Sequence, residues 1–336
     1  MTRILSISLL ILLLVSWHDI RAEVCGGRPM GFLAMRSQSP IQQLRFGLLY
    51  HPPWVAPSGT LNMYYEHNWK NMWMCKPGYY LIDAEVHELA ARGCMGLGRG
   101  FEISIEFPLR YVYGGILDKF IEGFHRSLGI DNAMRNDFPR NRFAFEMNNG
   151  EGEDGWIYAG NEQLGWNLGN MEMAISYAIL GPTGNDISGV VTGHIKFPTG
   201  TRTEYFGGQS VDFGISLSTM ACWNNFYFYA VPGLAYYTDK KMLNIRLQQV
   251  HLSTLLAIEY HPKTGHSSWI GQLIIENGIA KHFSEFSSNT YELMFAHKRS
   301  IAEDMTLEIG FLENLFFFDN SPDIGLHLGI TQAFNF

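Results

Sequence analysis

Ile324-Gly325-Leu326-His327-Leu328-Gly329-Ile330-Thr331-Gln332-Ala333-Phe334-Asn335-Phe336 ends the chain on a sustained alternation. The even positions carry Ile324, Leu326, Leu328, Ile330, Phe334 and Phe336, with Gln332 the one polar member. The odd positions carry Gly325, His327, Gly329, Thr331, Ala333 and Asn335. Successive side chains of a strand point to opposite faces, so the stretch predicts a strand with one apolar face and one small or polar face. An alternating last strand closed by an aromatic residue resembles the signal that outer-membrane insertion machinery reads. Phe336 and Phe334 are therefore the candidate assembly signal.

The same period runs back along the chain. Phe101, Ile103, Ile105, Phe107, Leu109 and Tyr111 alternate with Glu102, Ser104, Glu106, Pro108 and Arg110. Val211, Phe213, Ile215 and Leu217 alternate with Asp212, Gly214 and Ser216, and Met305, Leu307, Ile309 and Phe311 with Thr306, Glu308 and Gly310. Noisier versions cover 61–69, 80–89, 141–147, 170–180, 187–197, 226–236, 246–260, 269–277 and 290–298. Turn-forming runs separate them, among them Gly181-Pro182-Thr183-Gly184, Pro198-Thr199-Gly200 and His261-Pro262-Lys263-Thr264-Gly265. This makes thirteen segments, whereas a bacterial single-chain barrel has an even number of strands. The expected fold is all-β: a transmembrane antiparallel β-barrel of about twelve strands. The small and polar partners suit a wet lumen better than the dry core of a sandwich.

Composition supports the choice. Of 336 residues only 17% are charged and 14% are aromatic, yet the mean hydropathy is −0.04. Past residue 16 there is no apolar run of about twenty residues, the length a spanning helix needs. The aromatic content excludes disorder, and a net charge of −8 leaves no footprint for nucleic acid.

The N-terminus reads as a secretory signal. Arg3 precedes an apolar run from Ile4 to Val15, and Ala22 is a small residue at the expected cleavage position. Removing residues 1–22 takes away Arg3, Arg21 and Asp19 and leaves a net charge of −9. Glu23 and Val24 before Cys25 do not fit a lipidation site. The expected location is the outer membrane of a Gram-negative bacterium. Residues 28–59 contain Pro29, Pro40, Pro52, Pro53 and Pro57, too many for interior strands. Residues 23–59 are thus expected to form a plug or periplasmic segment, and 60–336 the barrel. Cys25, Cys75, Cys94 and Cys222 allow three pairings, and Cys75 and Cys94 flank one strand closely enough to staple a loop.

One segment follows a different period. Leu117, Phe120, Ile121, Phe124 and Leu128 recur at helical spacing, with Asp118, Lys119, Glu122 and Arg126 between them. An amphipathic helix over 116–129 is expected, lying in the membrane interface or capping the barrel mouth. Asp118 and His125 share its face and could serve as an acid–base pair for a serine from another strand, whereas Ser127 points about 200° away from His125. The alternative gives Asp118 to solvent and His125 to a hydrogen bond within the loop. Arg135, Arg140 and Arg142 could contact lipopolysaccharide phosphates, for which guanidinium forks are suited. Asn185-Asp186 and Glu151-Gly152-Glu153-Asp154 lack a calcium-loop pattern, and no Cys/His spacing fits zinc. Neither a metal nor a cofactor is expected.

Arg36-Ser37-Gln38-Ser39-Pro40-Ile41-Gln42-Gln43, Gly115-Ile116-Leu117-Asp118 through Phe124-His125, Phe138-Pro139-Arg140-Asn141, Lys196-Phe197-Pro198-Thr199-Gly200 and Glu308-Ile309-Gly310-Phe311 with the final strand resemble a family of uncharacterised proteobacterial outer-membrane barrels, the domain-of-unknown-function family numbered 3187. The resemblance spans most of residues 30–336 and implies fold and location, but no activity. Passive transport or binding of a small molecule, with apolar ones among the candidates, is the leading expectation. A lipid-modifying barrel enzyme and a structural or surface-interaction barrel are the alternatives. The expected partners are outer-membrane lipid and lipopolysaccharide, the barrel-assembly machinery during biogenesis, and a small-molecule cargo.

Overall fold

The computed structural model describes residues 28–39, 42–45, 47–129, 132, 134–148, 156–158, 164–181, 187–201, 208–242, 245–263, 265–281, 283–313 and 322–336. In chain order the strands are β1 (Thr60–Lys76), β2 (Tyr80–Gly98), β3 (Phe101–Tyr113), β4 (Ala144–Asn148), β5 (Trp156–Tyr158), β6 (Gly165–Leu168), β7 (Met171–Leu180), β8 (Ile187–Phe197) and β9 (Asp212–Trp223). They continue as β10 (Phe226–Tyr236), β11 (Lys241–Met242), β12 (Ile245–Arg246), β13 (Val250–Tyr260), β14 (Ser267–Glu276), β15 (Thr290–Ala302), β16 (Met305–Glu313) and β17 (Ile324–Asn335). Among the described residues there is one α-helix, α1 (Asp118–Leu128), which follows β3.

Twelve of these strands form a closed antiparallel barrel in the order β1-β2-β3-β7-β8-β9-β10-β13-β14-β15-β16-β17. The alternating stretch at the C-terminus is the closing strand: β17 pairs with β1 from Thr60↔Asn335 to Asn71↔Ile324. Closure matters because an unpaired backbone group has no water to bond with inside a bilayer. The thirteenth alternating segment, 141–147, becomes β4, which does not enter the ring. It pairs with Tyr80–Asp83 at the end of β2, beyond the point where β2 meets β3 at Glu85↔Tyr113.

The two ends of the barrel differ. Short connections such as Arg99-Gly100, Asn224-Asn225 and Glu303-Asp304 lie at one end, together with Thr60 and Asn335. Residues 114–170, 198–211, 237–249, 277–289 and 314–323 connect strands at the other. Short turns mark the periplasmic end and long loops the extracellular one, so α1 is extracellular.

The two faces follow the alternation. On β3, Glu102, Ser104, Glu106 and Arg110 are buried inside, while Phe101 and Phe107 are exposed on the outer wall. Ile175, Ile215, Ile309 and Leu328 face outward in the same way. The expected Cys75–Cys94 staple does not form, and both are free thiols. Cys75 stands opposite Leu81 at the extracellular end of the β1–β2 hairpin, and Cys94 opposite Asn62 near the periplasmic end. The distance follows from strand rise: thirteen residues of β2 separate Leu81 from Cys94, roughly 40 Å, far beyond the reach of a disulfide. Cys222 is disulfide-bonded, and Cys25 lies outside the described residues.

Candidate functional site

The lumen is occupied by the chain's own N-terminal segment. It rises from the periplasmic end, where Met30 and Gly31 bond Glu259, to the extracellular end, where Gln42 bonds the Asn277 carbonyl. A single turn of 3₁₀ helix at Gln42–Leu44 reverses it. It then descends to Ala56, whose amide bonds Glu102 near the start of β3. The two legs lie side by side, with the Trp54 ring against Gly31 and Arg36 against Gly47. The exit back to the wall is tight. A Cβ on Gly96 would collide with the carbonyls of Ala56 and Pro57, so only glycine fits there.

A buried extended peptide without a strand partner must satisfy its amides and carbonyls by other means. Here inward side chains of the wall do so. Glu259 accepts from the amides of Met30 (2.8 Å) and Gly31 (2.9 Å), and Gln272 both accepts from the Leu33 amide (2.9 Å) and donates to its carbonyl (3.2 Å). Lys298 donates to Phe32 O (2.8 Å) and Arg92 to Ala34 O (3.1 Å). Glu292 accepts from the amides of Gln38 (2.8 Å) and Ser39 (2.9 Å) and from the Ser37 hydroxyl. The Glu292 contacts fall in the Arg36–Gln43 stretch that carries the family resemblance.

Charge is matched across the same interface. Arg36 bonds Glu106 and Glu172 (3.3 Å), His51 bonds Glu102 (2.6 Å), and Lys70 donates to Gln38 (2.8 Å). Arg45 meets His251 (2.6 Å) and stacks on Tyr237 at 4.4 Å. The rest of the segment is apolar: Phe32, Leu33, Met35 and Tyr50 pack on Tyr229, Val231, Leu255, Ile274, Met294 and Leu312. The lumen wall is thus polar on β1–β3, β7 and β8, whereas from β9 to β16 the apolar side chains are interspersed with inward polar ones such as Ser218, Glu259, Gln272 and Glu292. Among the described residues, two of the spaces between segment and wall hold about 20 Å³ and about 10 Å³, no more than one water can use. The expectation of a wet lumen is corrected: inward polar residues such as Glu259, Gln272 and Glu292 bond to the inserted segment, and others such as Glu88 and Arg110 bond to one another.

Outside the barrel, α1 lies against the extracellular half of the wall. Its N-terminus docks on Glu85, an outward residue of β2, whose carboxylate accepts from the amides of Ile116 (2.7 Å) and Leu117 (2.5 Å), from Tyr113 (2.6 Å) and from Trp69 (3.1 Å). Gly115 has φ +89°, and a Cβ there would strike that carboxylate, so the chain can approach Glu85 only through glycine. Further along, the Phe124 ring reaches Phe311 on β16 at 6.5 Å. Glu85 and Phe311 are three strand spacings apart around the wall, roughly 14 Å. Nine helical residues span roughly 12 Å. The helix therefore runs around the barrel, across β1 and β17.

The helix is turned opposite to the expectation for a soluble amphipathic helix. Asp118, Ile121, Glu122 and His125 are buried against the protein, whereas Ile116 just before the helix and Phe120 within it are 65% and 60% exposed. The wall beneath is polar at outward positions, with Asn71, Asp83 and Glu85 buried there. Asp118 is not solvated. It accepts from Arg135 (2.8 Å), Asn71 (3.3 Å) and the Asn141 amide (2.6 Å). Arg135 also bonds Asn71 and Asp323, so this guanidinium is committed inside the protein and is withdrawn from the lipid-phosphate candidates. Burial pushes the Asp323 carboxyl up, against the pull of Arg135. Arg140 bonds Glu122 (2.8 Å) and holds its carboxyl below the usual range. Arg140 is half exposed and Arg142 exposed.

His125 is also buried, but neither ring nitrogen has a hydrogen-bond partner among the described residues. Among the described residues it makes no hydrogen bond within the loop, and no bond to Asp118 orients it as a base. The Ser127 hydroxyl is exposed and donates to the Phe124 carbonyl (2.7 Å). The structure thus places His125 and Asp118 on one face without joining them. Residues 1–27, 151–154 and 185–186, with the signal sequence and both acidic loops, lie outside the described residues.

The model of a family described as "Protein of unknown function (DUF3187)" matches residues 5–334. A solved outer-membrane channel from Pseudomonas putida F1 aligns with a TM-score of 0.55 at 13% identity, covering 85% of this chain and 100% of its own. The NanC porin gives 0.45 at 8% identity, covering 81% and 98%, and the KdgM porin 0.40 at 9%, covering 82% and 99%. At such identity the first likeness is one of fold. Among curated proteins no relative matches.

Proposed function

The chain belongs to the DUF3187 family, and we propose that it is an outer-membrane channel for a small molecule with an apolar body, held shut by residues 28–57. The observation that carries this reading is how the segment is held: its main chain bonds to side chains of the wall, not to a strand ladder. A strand of the sheet could leave only by breaking the barrel. A segment held by side chains can withdraw while the wall keeps its own closed hydrogen-bond network. Withdrawal would leave a lumen with an apolar patch of Tyr229, Val231, Leu255 and Met294 set among Glu259, Gln272 and Glu292 on one side, and the ion pairs Glu88–Arg110 and Glu66–Arg92 on the other. Pockets of mostly apolar lining with a few placed polar groups suit small molecules.

Deleting 28–57 should leave an inserted, heat-modifiable barrel with raised conductance in planar bilayers. Normal insertion with unchanged conductance would remove the gating reading.

Maturation belongs to the same proposal. The signal sequence is cleaved after about Ala22, and the assembly machinery then recognises the last strand. Phe336 is 86% exposed and Phe334 44%, both available at the periplasmic rim. Deleting Phe336 should lower the folded fraction in the membrane. Full insertion of the shortened chain would take Phe336 out of the signal.

A further inference from the structure

We propose that the outer face of α1, with the strand of chain from Arg140 to Arg142 beside it, is a docking surface for the phosphorylated headgroup and acyl chains of lipid A in the outer leaflet. This rests on the orientation of the barrel and not on whether the lumen conducts. The first observation is the sorting of charge on the helix. Both acids, Asp118 and Glu122, are buried against the protein, whereas both cations, Lys119 and Arg126, are exposed. The second is the course of the neighbouring chain. Arg140 bonds Glu122 and the Asn141 amide bonds Asp118, so this strand runs antiparallel along the helix. It adds Arg142 and the half-exposed Arg140 to the same surface, against one exposed acid nearby, Asp137.

The third observation is apolar. Ile116 and Phe120 are more than half exposed beside these cations. The helix runs around the wall at the extracellular end, where Phe124 meets the lipid-facing Phe311. Apolar side chains next to a row of cations, on the leaflet that faces outward, complement a lipid with phosphates above several acyl chains. Residues that would repel phosphate have been turned inward, so the surface selects for anionic lipid. Arg135, bound to Asp118 and Asp323, holds the loop in place and does not meet the lipid.

The test uses the full-length protein, purified and delipidated in detergent, with native mass spectrometry to count bound lipid. The probes are bisphosphorylated lipid A and the same lipid dephosphorylated. The wild type should prefer the phosphorylated form. A Lys119→Glu, Arg126→Glu, Arg142→Glu variant should lose about tenfold or more of that binding, each surface cation contributing separately. Lys240→Glu with Lys241→Glu, which changes exposed cations of another extracellular loop, should bind as the wild type does. Heat-modifiability reports folding of each variant independently. Equal binding of the two lipids, equal loss in both variants, or displacement of lipid A by excess inorganic phosphate would each overturn the proposal, the last by making free phosphate the occupant.

Discussion

Replacing Arg36 by Met should weaken the closed state of the lumen by about 3–5 kcal/mol, the range for removing one member of a buried ion pair. Arg36, Glu106 and Glu172 are all at least nine-tenths buried. Glu172 keeps His194 at 2.8 Å when Arg36 is lost. Glu106 does not have that reserve, since its second oxygen has no partner among the described residues. The uncompensated carboxylate must then be hydrated, and the space of about 20 Å³ beside it holds no more than one water. Frequent openings in planar bilayers are the expected result, with insertion unchanged because Arg36 contributes nothing to the strand ladder. Adding Glu106→Gln removes the orphaned charge and should restore most of the closure. If the single and double variants are equally silent, Arg36 does not hold the segment.

Much of the wall was legible because lipid on one side and a polar interior on the other force a period of two. The last strand, β3, β9 and β16 carry that period with few exceptions. Segment 141–147 carries it as well, and nothing in its own residues says that it pairs beyond the point where the ring closes. Helix α1 could be read from its spacing, but not which face it buries. That depends on the wall under it, where Asn71, Asp83 and Glu85 occupy outward positions. A break of polar residues in a lipid-facing register is the signal in the sequence that a polar helix face docks there.

The lumen is the harder case. Proline content excluded residues 28–59 from interior strands, yet the groups that receive the segment are remote in sequence. Gly31 and Glu259 are 228 residues apart, and Gln38 and Glu292 are 254 apart. Inward acids and amides on separate strands look the same in sequence whether water or peptide satisfies them. Arg135 was misplaced for a similar reason. Its partners, Asp118 and Asp323, lie 17 and 188 residues away, and a loop arginine read alone is indistinguishable from a surface one.

Ile105→Arg and Ser104→Arg, one residue apart on β3, should fail in different ways. Ile105 points outward between Gly93 of β2 and Met173 of β7. Arginine there must sit in hydrocarbon or distort the wall to escape it, at a cost of about 2–4 kcal/mol near the midplane. The folded fraction in the membrane should fall. Ser104 points inward and is 8% exposed, lining the space of about 20 Å³ with Tyr50, His51, Glu106 and His194. An arginine would be accepted by an empty aqueous lumen but does not fit beside the inserted segment. The barrel should therefore insert at normal yield while the segment is displaced, and conductance should rise. In a chain lacking 28–57 the same substitution should do the reverse, narrowing an open lumen and lowering its conductance. The sign of the conductance change thus reports whether the segment is present, and insertion yield reports which face each residue occupies. Equal losses of insertion for the two arginines would contradict the assignment of faces on β3.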